Sequence, residues 1–112
     1  MHGHNPIIEF APERLREMHR AYLDPWRTPD EVAAAYYISR VTMLNRFHEA
    51  GLPTRTQWRT SREFADEVYR MYLEQGVMRT ALAYNMTHEN VHQILRRHGL
   101  PSHKQRRELG LE

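Results

Sequence analysis

The chain has 112 residues, enough for one domain or two very small ones and too few for a large multidomain enzyme. With 40% hydrophobic residues, 27% charged residues and no cysteine, it can bury a modest core but cannot build a disulfide or thiolate-metal scaffold. Sixteen Lys and Arg stand against fourteen Asp and Glu, a formal net charge of +2, so the placement of charge says more than its total.

The apolar runs are only a few residues long, and Met1 to Phe10 lacks a charged start followed by an apolar stretch. The sequence therefore predicts neither a membrane span nor a signal peptide, and the expectation is a soluble intracellular protein without a cofactor. The cations cluster twice. Between Glu49 and Glu63 lie three arginines and no acid, and from Asn90 to Arg107 there are five cations, three histidines and no acid. Fifteen of the sixteen cations are arginine, whose planar fork suits phosphates and guanine edges better than lysine does.

In chain order, residues 1–11 read as an N-terminal tail. Pro12 opens a helix whose Leu15, Met18, His19 and Tyr22 form one apolar stripe, and which ends near Asp24-Pro25. Thr28-Pro29-Asp30-Glu31 combines a capping box with proline at the first helical position, starting a short helix through Tyr36. Ser39 caps a third helix to Ala50, stopped by Gly51 and Pro53. Residues 52–60 read as a basic linker. Thr60-Ser61-Arg62-Glu63 offers a further capping box, and Phe64, Val68, Met71 and Tyr72 give the stripe of a helix ending at Gly76. A short helix follows from about Met78 to Tyr84, and Thr87 caps the last one, terminated by Gly99 and Pro101. Residues 100–112 read as a basic C-terminal tail. No segment alternates with period two, so no sheet is expected.

The chain also repeats itself. A shift of 48 positions lays Ala33, Ala35 and Tyr36 on Ala81, Ala83 and Tyr84, Gly51-Leu52-Pro53 on Gly99-Leu100-Pro101, and Gln57 and Arg59 on Gln105 and Arg107. The fold expected is all-α, two tandem three-helix units over 12–51 and 61–99. In each, a small residue lets two short helices approach, an apolar residue plugs the turn, a hydroxyl caps the next helix, and two apolar residues four apart anchor it. Val32, Ala33, Ile38, Ser39, Met43 and Phe47 fill these places in the first unit; Ala81, Met86, Thr87, Val91 and Leu95 fill them in the second.

This pattern resembles the homeodomain-like helix-turn-helix family, especially the DNA-binding domains of site-specific recombinases and many small bacterial and phage regulators. The likeness covers roughly residues 12–59 and 61–107. Two departures stand out. Tyr37 and Asn85 occupy the place where the turn usually carries glycine, and a distorted first turn is expected because tyrosine tolerates left-handed backbone poorly. The second unit is also two residues shorter ahead of its second helix.

The resemblance implies that each third helix lies in the major groove of duplex DNA. Its base-reading positions would be Arg40, Val41 and Asn45 in one unit and His88, Glu89 and Gln93 in the other, chemistries that match guanine, a thymine methyl, adenine and cytosine. Ser39, Thr42, Arg46, Thr87, Asn90 and Arg96 would hold phosphates. The segments after each third helix read as extended cationic arms, with Arg55 and Arg59 in the first and Lys104, Arg106 and Arg107 in the second following the backbone or a minor groove. Trp58 is expected to pack between the units.

The implied function is sequence-specific binding of double-stranded DNA by a small phage or bacterial transcriptional regulator at the nucleoid. It would act as a monomer or weak homodimer on a bipartite site. The DNA-recognition part of a recombination, transposition or packaging machine is an alternative, and a protein-interaction module is a second. A metallopeptidase is a third, raised by His88-Glu89-Asn90-Val91-His92, which spells the H-E-x-x-H motif. His98 falls six residues past His92, about 240° further round a continuing helix, and so cannot complete that site. Leu95 stands where such proteases break the helix with glycine. The chain is therefore not expected to be an enzyme or to hold a metal.

Overall fold

The computed structural model describes residues 10–112; the expected tail, with His2 and His4, lies largely outside the described residues. Among these the architecture is all-helical, with seven helices and no strand. They are α1 (Pro12–Leu23), α2 (Pro29–Ala35), α3 (Arg40–Glu49), α4 (Arg55–Arg59), α5 (Arg62–Ala83), α6 (His88–Arg97) and α7 (His103–Glu108). No helix among the described residues is long and apolar enough to cross a membrane.

Local chemistry sets the starts. Pro12 and Pro29 stand in the first turns of α1 and α2, where no amide proton is needed. Thr28 accepts from Glu31 N while the Glu31 carboxylate takes the Thr28 amide, closing a capping box. Ser39 and Thr87 cap α3 and α6 by accepting from the third amide along. The cap of α5 is Ser61, which accepts from Phe64 N, so the expected box starting at Thr60 sits one residue early.

Two hydrophobic cores form. The first gathers Met18 and Tyr22 from α1, Val32 and Ala33 from α2, and Met43 and Phe47 from α3. The second gathers Phe64, Ala65, Val68 and Tyr72, then Ala81, then Val91, Ile94 and Leu95 from α6. Gly76 divides α5 between these duties: at φ 86° and ψ 172° it adopts a backbone open essentially to glycine alone, bending residues 62–75 away from 77–83. Where the first core uses a five-residue loop, 24–28, to turn from α1 to α2, the second turns on this one residue after a leading helix two residues longer, which leaves the net two-residue shortening.

The expected distortion at Tyr37 does not occur. Tyr37 takes φ 60° and Asn85 φ 52°, and the two turns close alike, Ile38 N donating to Ala33 O at 3.1 Å and Met86 N to Ala81 O at 2.9 Å. Tight closure under the buried Ala33 and Ala81 fixes the turn, and the tyrosine backbone follows it.

The largest correction concerns the two segments expected as extended arms, which are the helices α4 and α7. Each begins in a capping box: Thr54 with Gln57, Ser102 with Gln105. Each docks on an earlier helix by the same set of bonds. Arg55 N donates to Tyr22 Oη at 3.0 Å and His103 N donates to Tyr72 Oη at 2.8 Å. His19 Nε2 lies 2.8 Å from Pro53 O, and Tyr69 Oη donates to Pro101 O at 2.9 Å. Each group of three helical segments thus carries a fourth docked beside it, though neither α4 nor α7 contributes a buried residue.

α4 also touches the second half of the chain. Trp58 packs on the second core, its ring 6.0 Å from Phe64, from a helix held to α1. Further bonds cross the seam: Trp26 Nε1 donates to Ala83 O at 3.2 Å and Asn85 Nδ2 to Pro25 O at 3.4 Å.

Candidate nucleic-acid interface

Helices α3 and α6 carry most of the candidate residues, and packing decides which way each side chain faces. Met43 and Phe47 anchor α3 in the first core; Val91 and Leu95 anchor α6 in the second. With those positions turned inward, the helical period turns Arg40, Val41 and Asn45 outward on α3, and His88, Glu89, Asn90 and Gln93 outward on α6. Val41 is 63% exposed, an apolar side chain left in water on an otherwise polar face.

Neighbours already hold some of these groups. Arg40 Nε lies 3.8 Å from Asp30 Oδ1, and both side chains are more than half exposed. Arg46 reaches Glu49 at 3.4 Å. On α6, Arg96 donates to Glu89 Oε1 at 2.7 Å, joining a candidate phosphate contact to a candidate base contact. Such exposed pairs are worth about 0–1 kcal/mol each, so any could exchange its carboxylate for another acceptor. The Ser39 hydroxyl accepts from Thr42 N and donates to Thr42 Oγ1 at 2.9 Å, whereas Thr87 Oγ1 accepts from Asn90 N and keeps its proton available.

The arm residues stand differently. Arg55 donates through Nε to Tyr22 O at 2.6 Å and through Nη2 to Asp24 O at 2.8 Å and to Arg27 O, with its guanidinium 5.3 Å above the Tyr22 ring. Three main-chain carbonyls and an aromatic face occupy it, so it closes the end of α1 instead of extending toward a ligand. Arg59 lies over the Phe64 ring at 6.0 Å and donates to Tyr84 O at 3.4 Å. Burial, and secondarily the charge of Arg55, lower its pKa from the ordinary arginine value. Arg106 donates to Tyr69 Oη, Glu112 and Leu111 O. The Tyr69 hydrogen bond is the main reason its pKa rises, and the His103 and Arg106 hydrogen bonds hold the Glu112 carboxyl below its usual range. Lys104 and Arg107 remain exposed, Arg107 with Glu112 at 4.0 Å.

The H-E-x-x-H residues do not converge. His88 is exposed, the His92 ring meets Tyr72 edge-on at 6.4 Å, and His98 ends α6 with its Nε2 buried. Among the described residues no group of three His, Asp or Glu could hold a metal ion.

Sequence reasoning missed the helices at 55–59 and 103–108 and the seam contacts of Trp26 and Asn85. The signals for the helices were present as Thr54-x-x-Gln57 and Ser102-x-x-Gln105, the same hydroxyl-amide spacing that marks α2. No family model matches the chain, and neither a curated protein nor a solved structure matches it.

Proposed function

We propose that the chain binds double-stranded DNA, with α2–α3 and the 77–83 arm of α5 with α6 serving as two helix-turn-helix readers in tandem. One observation carries the reading. At matching places in two separate cores, a capped ten-residue helix keeps two or three apolar residues inward and presents Asn45 or Gln93 to solvent. Amide side chains there can pair with adenine, Arg40 can fork onto guanine, and Val41 can meet a thymine methyl. The α6 face offers His88, Glu89 and Gln93 in its place, so the two half-sites would differ in sequence.

Lys104, Arg107, Arg46 and Arg96 would supply phosphate contacts, while Arg55, Arg59 and Arg106 shape the helices around them. The role we assign is that of a small transcriptional regulator of a bacterium or phage, acting at the nucleoid on a bipartite site of about 15 to 20 base pairs. Readers set in successive major grooves would lie about 34 Å apart.

Selection of bound sites from a random duplex library, followed by anisotropy titration of the winner, tests this. The expected result is a two-part motif whose affinity falls as salt rises, since phosphate neutralisation releases counterions. Absence of enrichment, or affinity indifferent to salt, would refute it.

A further inference from the structure

The two matching turns are built alike but used differently. The second is occupied within the chain: Ala83 O accepts from Trp26, Tyr84 O accepts from Arg59, and Asn85 Nδ2 donates to Pro25 O. Its left-handed residue is asparagine, a type that adopts such geometry readily. The first turn has tyrosine at that place, φ 60°, in a conformation that any side chain with a bulky Cβ substituent resists. Tyr37 is 91% exposed, and among the described residues its phenol meets no hydrogen-bonding or ring partner. Residues held in such conformations cluster at ligand clamps and other functional sites. Nothing among the described residues uses this one.

We propose that Tyr37 is a DNA-contacting residue of the first reader, its phenol donating to a backbone phosphate. This rests on the DNA reading above. The turn holds Tyr37 two residues ahead of Ser39, the cap of α3, and three ahead of Arg40, so an engaged α3 would carry the phenol to the edge of the groove. Tyrosine hydroxyls are among the usual donors to phosphate, and such contacts fix the register of a reader without reading sequence. Asn85 could not make the equivalent contact without leaving the seam, which would make the first reader the better anchored of the two.

The test uses the full chain and the selected duplex. Tyr37→Gly and Tyr37→Asn relieve the backbone, so both should raise Tm by a few degrees while weakening DNA binding about tenfold or more, as loss of one hydrogen bond to a charged acceptor predicts. Tyr37→Phe keeps the backbone strain and the ring; it should leave Tm unchanged and show most of the affinity loss. The preferred sequence should stay the same in all three, because a phosphate contact carries none.

A wild-type chain that binds DNA while Tyr37→Gly binds within twofold of it would overturn the assignment and leave the DNA reading standing. So would a Tyr37→Gly chain that changes self-association in sedimentation instead of affinity, which would make the turn a contact between copies. Failure of the wild type to bind any duplex would overturn both.

Discussion

Replacing Arg55 with methionine should destabilise the first half of the molecule severely while leaving its exposed helix faces intact. The guanidinium satisfies Tyr22 O and Arg27 O, carbonyls at and beyond the end of α1 without a helical partner, and Asp24 O, which otherwise holds only the Arg27 amide in a turn. It also places a cation at the negative end of that helix and over the Tyr22 ring. Hydrogen bonds to charged groups contribute about 1.5–3 kcal/mol each when buried; for this half-buried site, where water recovers part of the loss, about 1 kcal/mol per carbonyl is appropriate. With about 0.5–1 kcal/mol for the ring contact, Arg55→Met should lose about 3.5–4 kcal/mol. That is a large share of the about 5–15 kcal/mol by which small domains are stable.

Urea unfolding followed by circular dichroism measures the total, and amide exchange locates it, with protection lost first in α1, α2 and α4. Arg55→Lys retains the charge but not the fork, and should recover less than half. The reasoning fails if Arg55→Met unfolds within about 0.5 kcal/mol of the wild type. A variant of unchanged stability with weakened, less salt-sensitive DNA binding would instead make Arg55 the phosphate contact that an extended arm implies.

Three further outcomes are expected. Asn45→Ala and Gln93→Ala should each change stability by no more than about 0.5 kcal/mol, because both side chains are exposed, and each should relax sequence preference in a different half-site when the selection is repeated. Met43→Ala and Leu95→Ala should each cost about 2–5 kcal/mol, since both side chains are buried anchors, with exchange protection falling mainly around the core that lost its anchor. Burial, helped by the Glu67 charge and hydrogen bond, pushes Tyr84 up to about 12 from an ordinary value of 10.0. The folded state thus holds that proton more tightly than the unfolded chain does, so the stability it contributes is complete below pH 10 and is lost as pH rises through 12. Tyr84→Phe should flatten this alkaline decline in denaturation series, and an unaltered slope would contradict the assignment.

Much of the helical pattern was legible because capping chemistry and apolar spacing are local. Thr28 with Glu31, Ser39 and Thr87 as caps, and Gly76 as a break all act within a few residues of themselves, and the structure uses them as their spacing suggests. The buried anchors Met43, Phe47, Val91 and Leu95 followed from period alone. What escaped depends on contacts distant in sequence. Arg55 and Arg106 look like phosphate ligands in a basic stretch, and only the approach of Tyr22, more than thirty residues away, and of Tyr69 turns them into structural donors. Tyr37 misled in the opposite direction: the local penalty at φ 60° was foreseeable, but the closure of the turn under Ala33 outweighs it. The outward placement of Asn45 and Gln93 was readable; the Glu89–Arg96 bond across two turns of α6 is a rotamer choice that spacing alone does not dictate.

The five residues of α4 have two masters, Arg55 gripping the end of α1 and Trp58 lying on the core after it. Dissection of the protein into halves therefore has no clean place to cut: a break ahead of Thr54 strips the earlier half of its arginine, and a break behind Thr60 leaves the Trp58 ring stranded on the earlier half. Anyone wishing to study either portion in isolation would have to carry a copy of this short segment on both fragments.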